Sequence, residues 1–110
     1  MNLHLNLLKH WMIGWMTKEE SKHYEKLARL GCILCQQNEI TDTDTPVEIH
    51  HIRRHGQPRK TAKTIPLCMW HHRLGNTSVH FLGHRGFQKY WGFSEEDLYE
   101  KTQELLNDHN

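Results

Sequence analysis

Apolar positions along the chain fall in short blocks separated by polar and turn-forming residues. In residues 1–16, Leu8, Trp11, Met12 and Trp15 recur at i, i+3, i+4 and i+7, a helical stripe, whereas Leu3, Leu5 and Leu7 alternate as in a strand. This stretch is expected to be a hydrophobic arm that packs on the domain or on a second copy. It is too short to span a membrane and is interrupted by His4, Lys9 and His10. It has neither the basic start nor the small-residue cleavage site of a secretory signal. Thr17 can cap a helix starting at Lys18, with Glu19 and Glu20 in its first turn, Tyr24, Leu27, Ala28 and Leu30 on its apolar face, and Gly31 as its stop. Residues 36–46 are polar and end at Pro46, which predicts a loop. Residues 47–52 predict a strand, and 53–63 a basic loop containing Gly56 and Pro58. Residues 65–67 predict a second short strand, interrupted by Pro66. A short helix is expected to open in 71–76, followed by a loop punctuated by Gly83 and Gly86 and an aromatic segment over 87–91. Ser94-Glu95-Glu96-Asp97 is close to a capping box and starts a helix running from Glu95 to about Leu106, with Leu98, Lys101/Thr102 and Leu105 along its inner side. No repeat or linker appears, so the expectation is one α+β domain over 17–110 behind the arm.

Composition makes that domain depend on something besides its core. Only 36% of the 110 residues are apolar, so the core is thin and a metal staple would help. Histidine is the outlier, at 11 residues, and the three cysteines exclude a pure disulfide framework by their odd number. Together they point to metal chemistry in a reducing compartment.

The net charge of +1 excludes an overall polycation or polyanion but hides a polarity. No acid occurs between Glu48 and Glu95, while that stretch carries Arg53, Arg54, Arg59, Lys60, Lys63, Arg73, Arg85 and Lys89. A basic surface for a phosphate-rich partner is one reading; a basic loop neutralised by its acidic flanks is the other.

Cys32 and Cys35 share the two-residue spacing of a thiolate turn, and Cys68 and His71 repeat it. Together they form a Cys3His set, a common structural zinc composition that uses every cysteine in the chain. The alternative is three buried thiols and a surface histidine. In the strand at 47–52, His50 and His51 face opposite sides, so one can bind a metal while the other meets a different object. His50, His72 and His80 can supply a second metal site. Neutral imidazoles suit Zn, Ni, Co or Mn better than Mg.

The order strand-His-His-Ile, basic loop, Pro-Leu-Cys-x-x-His-His resembles the ββα-metal, or HNH, nuclease signature. The stretch from Ile49-His50-His51-Ile52 to Ile65-Pro66-Leu67-Cys68-Met69-Trp70-His71-His72 is similar to phage recombination-enhancement (Ref) nucleases. The similarity runs on through Val79-His80 and Gly83-His84-Arg85-Gly86-Phe87 to Tyr90-Trp91-Gly92, and covers about residues 17–106. The resemblance implies a small zinc-stabilised ββα-metal domain with flanking helices. It implies a metal-dependent DNA endonuclease, phage-encoded, acting with RecA filaments in the cytoplasm of a bacterial host. By position, His50, His72 and His80 would hold a catalytic divalent ion (Mg2+, Mn2+ or Zn2+) and His51 would be the general base. Cys32, Cys35, Cys68 and His71 would hold the structural zinc. Arg53, Arg54, Arg59, Lys60, Lys63 and Arg73 would hold DNA phosphates, with little base readout.

Two departures from that pattern stand out. The region where an HNH asparagine is expected reads Thr61-Ala62-Lys63-Thr64, and Asn76 follows His72 by four residues. Ref proteins can have a long basic N-terminal segment that binds DNA, where a hydrophobic arm of sixteen residues stands here, so weak independent DNA affinity and more dependence on a partner are expected. The competing reading is a non-catalytic zinc knuckle that binds nucleic acid or docks on a recombinase.

Overall fold

The computed structural model describes residues 17–40, 45–54 and 56–108. The hydrophobic arm expected over 1–16 lies outside them. Helix α1 (Lys18–Leu30) begins in a reciprocal capping box: Thr17 Oγ1 accepts from the Glu20 backbone N–H at 3.1 Å, and Glu20 Oε1 accepts from the Thr17 N–H at 3.0 Å. Its buried face is Tyr24, Leu27 and Ala28. A short helix, α2 (Ile33–Gln37), follows at once, capped by Cys32, whose sulfur accepts from the Cys35 N–H at 3.4 Å.

Strands β1 (Val47–Ile52) and β2 (Lys63–Cys68) form an antiparallel pair, with His50 opposite Ile65 and His51 opposite Thr64. Pro66 does not interrupt β2. Both strands of a two-stranded sheet are edge strands, where a missing N–H is tolerated. The basic loop between them contains a 3-10 turn over Arg59–Thr61. Gly56, at φ 71°, supplies the positive φ in the turn that Gln57 closes by donating to the Arg54 carbonyl at 2.8 Å.

After β2 the chain departs from the expected short helix at 71–76. Trp70–Leu74 instead form a wide π-type turn, closed by Gly75 N–H to the Trp70 carbonyl at 3.0 Å. The loop expected around Gly83 and Gly86 is also replaced: Val79–Trp91 is one helix, α3, broken only at Gly83 (φ 74°, ψ 173°). Gly86 stays helical, packed against Leu82, so only one of the two glycines acts as punctuation. Helix α4 (Glu95–Asp108) begins with Ser94 and Asp97 capping each other at 2.9 and 3.0 Å. Along it Leu98 and Thr102 are buried, whereas Lys101 faces solvent.

The class is thus α+β, with four α-helices and one two-stranded sheet among the described residues. Helices α1, α2 and α4 lie against the sheet, and α3 packs on the π-turn. The core is small: Ile33, Leu34, Ile65, Leu67, Phe87 and Leu98 are its most enclosed members, and all three cysteines border it. Among the described residues, no helix is long and apolar enough to cross a membrane.

A candidate metal centre beside a cysteine knuckle

The cap of α2, the end of β2 and the π-turn bring Cys32, Cys35, Cys68 and His71 together, with their ligand atoms within 4.8 Å of one another. His71 Nδ1 lies 3.6, 3.4 and 3.2 Å from the sulfurs of Cys32, Cys35 and Cys68, and the Cys35 and Cys68 sulfurs are 4.0 Å apart. A tetrahedral zinc with ~2.3 Å bonds to sulfur and ~2.0 Å to nitrogen needs edges of about 3.8 Å between sulfurs and about 3.5 Å from sulfur to nitrogen. The four side chains therefore fit that ion. Hydrogen bonds from Cys32 and His71 hold the Cys68 thiol well below its ordinary pKa against the effect of burial, while the same bond and burial push the Cys32 thiol up, so of this pair Cys68 is the one set as thiolate. Trp91 covers the group, its ring 5.2 Å from that of His71 and edge-on, while its own N–H donates to the Thr77 carbonyl at 2.9 Å.

A second group lies one residue away in sequence. His71 and His72 are consecutive on a helical turn, so their side chains diverge: His71 joins the cysteines and His72 meets His50 and His80. The ligand atoms of this trio also lie within 4.8 Å of one another, and the Nε2 atoms of His72 and His80 are 3.1 Å apart. His50 is buried, His72 half-buried and His80 exposed, so the trio opens to solvent on the His80 side. Three imidazoles with one open side are the composition of a catalytic rather than a structural metal site. Burial lowers the pKa of both His72 and His80, keeping these rings in the neutral form that a metal binds.

Two carboxylates that motif spacing did not reveal support the trio. His50 Nε2 is 2.6 Å from Glu95 Oε2, and His72 Nδ1 is 2.8 Å from Glu48 Oε1. Burial works against ionisation of both acids, yet at Glu95 the bonds from His50 and His84, and at Glu48 those from Arg73 and His72, overcome it and hold each carboxyl below its usual value. A signal for both was present. Glu48 is two residues before His50, hence on the same strand face, and the two acids are the bounds of the acid-free stretch.

His51 faces the other side of β1 and stays outside both groups. Its Nε2 is 3.3 Å from the Tyr24 hydroxyl and accepts from Arg59 Nε–H at 3.4 Å. Burial, then the charges of Arg59 and His50, push its pKa down to about 4, so the ring is neutral at pH 7 with a lone pair on Nε2. Tyr24 was read from sequence only as a core residue.

The basic residues divide. Arg73 grips Glu48 through Nε and Nη2 at 2.8–3.0 Å, and Arg54 Nη2 grips both oxygens of Glu96 at 2.6 and 2.8 Å. Arg53 donates to the Gln57 carbonyl, and Lys63 lies 4.9 Å from the centre of the Tyr99 ring. Arg59 reaches His51, and Lys60 is exposed on the 3-10 turn beside it.

A family model described as recombination enhancement, RecA-dependent nuclease matches residues 16–110. No solved structure gives a significant match to the chain.

Proposed function

We propose that this chain, which belongs to the family of recombination-enhancement, RecA-dependent nucleases, cuts DNA by metal-dependent phosphodiester hydrolysis of the HNH (ββα-metal) type. The observation that carries the reading is the division of labour on β1. His50 joins a three-histidine set that fits a metal, while its neighbour His51 turns a neutral ring to the opposite face. A divalent ion at His50, His72 and His80 would supply positive charge for the phosphoryl and leaving oxygens. An all-imidazole set suits Zn2+, Mn2+ or Co2+ better than Mg2+, which prefers oxygen ligands.

His51 takes the proton of the attacking water on Nε2 as the water oxygen bonds to phosphorus. The bond from phosphorus to the departing sugar oxygen breaks, and that oxygen is protonated from solvent. Arg59, already within reach of His51, holds a phosphate oxygen and so sets the water beside the base. Lys60 and Arg53 hold neighbouring phosphates along the same loop. The Cys3His knuckle takes a structural zinc and contributes position rather than chemistry. RecA filaments on DNA are the setting in which cleavage is expected, since the family is described as RecA-dependent.

The test is a cleavage assay on DNA with RecA, ATP and a divalent ion, run for the wild type and for His51→Ala. Cleavage by the wild type, with at least a 100-fold loss in the variant, is the expected result. Failure of the metal-loaded wild type to cut with RecA present would favour the competing view of a knuckle that only binds.

A further inference from the structure

Each of the two more enclosed histidines of the trio is backed by a carboxylate, and each carboxylate is tied to an arginine. Glu48 Oε1 faces His72 Nδ1 at 2.8 Å, and both oxygens of Glu48 receive the Arg73 guanidinium. Glu95, its side chain fully enclosed, faces His50 with Oε2 and His84 with Oε1, and Arg54 Nη1 lies 3.8 Å from that same Oε1. The Arg54 guanidinium is fixed in turn by both oxygens of Glu96.

A carboxylate only accepts, so the ring nitrogen facing it carries the proton. His72 is thereby set with a free Nε2, the atom that meets His80, and His50 with a free Nδ1. Tautomer and ring orientation are what partners outside the ligand set control in metal sites. Arg73 hydrogen-bonds both oxygens of Glu48, whereas Arg54 stands 3.8 Å from Glu95 as an ion pair. From sequence these same arginines look like phosphate contacts.

We propose that Glu48 with Arg73, and Glu95 with Arg54, are two braces that orient His72 and His50 for the metal, and that Arg54 and Arg73 are positioning residues rather than DNA contacts. The proposal rests on the reading that the histidine trio binds an ion. It reduces the phosphate-binding set in the basic stretch to residues with no carboxylate hydrogen bond or close ion pair among the described residues, Arg59 and Lys60 first among them.

The experiment uses the full chain with its knuckle loaded with zinc and titrates Co2+ into the second site by calorimetry and visible absorption. Glu48→Gln is the leading variant because Glu48 is half-buried and its loss leaves the core intact; Arg73→Gln and Glu95→Gln accompany it, and His80→Ala is the control that destroys the site. Glu48→Gln and Glu95→Gln are expected to weaken Co2+ binding 10–100-fold, and Arg73→Gln several-fold, with one zinc per chain retained as the mark of a folded protein. The companion measurement is the salt dependence of binding to duplex DNA. Arg73→Gln and Arg54→Gln should leave the log–log slope unchanged, whereas Arg59→Gln or Lys60→Gln should each reduce it by about 0.9. A wild type that takes up only the knuckle ion overturns the catalytic-metal reading and the braces with it. A second Co2+ bound equally well by wild type, Glu48→Gln and Arg73→Gln overturns the braces alone, as does an Arg73→Gln protein whose salt slope falls while its Co2+ affinity stays unchanged.

Discussion

Removing the ion from the cysteine knuckle should come close to unfolding the domain. The perturbation is a strong zinc chelator at fixed pH, with Cys68→Ser as its genetic equivalent. An ion held there would tie Cys35 to Cys68 across 33 residues. Treated as a cross-link, closing a loop of that length removes about 12.5 cal/mol/K of unfolded-chain entropy, or ~3.7 kcal/mol at 25 °C. A domain of 110 residues has a total stability of only ~5–15 kcal/mol, so a loaded knuckle would account for a large part of it. With an unfolding entropy of roughly 0.23 kcal/mol/K for this length, the melting temperature should fall by about 16 °C. Differential scanning calorimetry before and after chelation, with zinc counted by mass spectrometry, measures both quantities. A metal-free chain melting within ~4 °C of the loaded one would refute the argument. So would a folded wild type purified with no bound zinc.

Other outcomes follow from the same geometry. Three phosphates held by Arg53, Arg59 and Lys60 give a slope of about −2.7 in log binding against log salt, so cleavage at subsaturating protein should fall about 40-fold between 50 and 200 mM salt; a flat profile would remove the phosphate role of this loop. Burial, with Lys26 nearby, lowers the pKa of His23, whose Nε2 is 2.9 Å from the Thr64 hydroxyl. The folded state therefore binds fewer protons than the unfolded one, and this contribution to stability is complete above the unfolded value of 6.5 and lost as pH falls through the lowered one. Wild type should accordingly lose more stability than His23→Gln between pH 7 and 5 in denaturant titrations, and parallel curves would contradict the sign. Phe87 has no exposed surface, so Phe87→Ala should cost ~3–5 kcal/mol and leave little folded protein at 37 °C by circular dichroism. Thr17→Ala should cost about 1 kcal/mol through loss of the cap, measured by the same unfolding curves.

What could be read from the sequence was local. The Thr17 cap, the strand over 47–52 and the start of α4 depend on neighbours within a few residues, and each stands where its residues imply; that Glu20 closes the cap into a reciprocal box is added by the structure. The Cys3His and three-histidine groups could be picked out as candidates by residue type and spacing, and the fold brings each set together. The π-turn and the continuous helix through Gly86 were missed because packing, rather than propensity, decides them. Gly83 and Gly86 look alike in sequence, and only the fold puts a positive φ at one of them. The carboxylates at the trio were missed for another reason. Glu95 and His50 are 45 residues apart, and a glutamate in the first turn of a helix already has a local explanation as a capping-region acid. Arg54 and Arg73 looked like free cations because their partners lie 42 and 25 residues away.

The adjacency of His71 and His72 couples the two groups. One serves the knuckle and the next serves the trio, and the π-turn that carries both is held through His71 at the cysteines and through the bonds of His72 and Arg73 to Glu48. On the reading above, the ion in the knuckle and the ion in the trio share one short turn, so loss of the first would be felt at His72 as well as in the fold. Zinc starvation would then weaken the cutting site and the domain together, although none of the trio's own ligands is a cysteine.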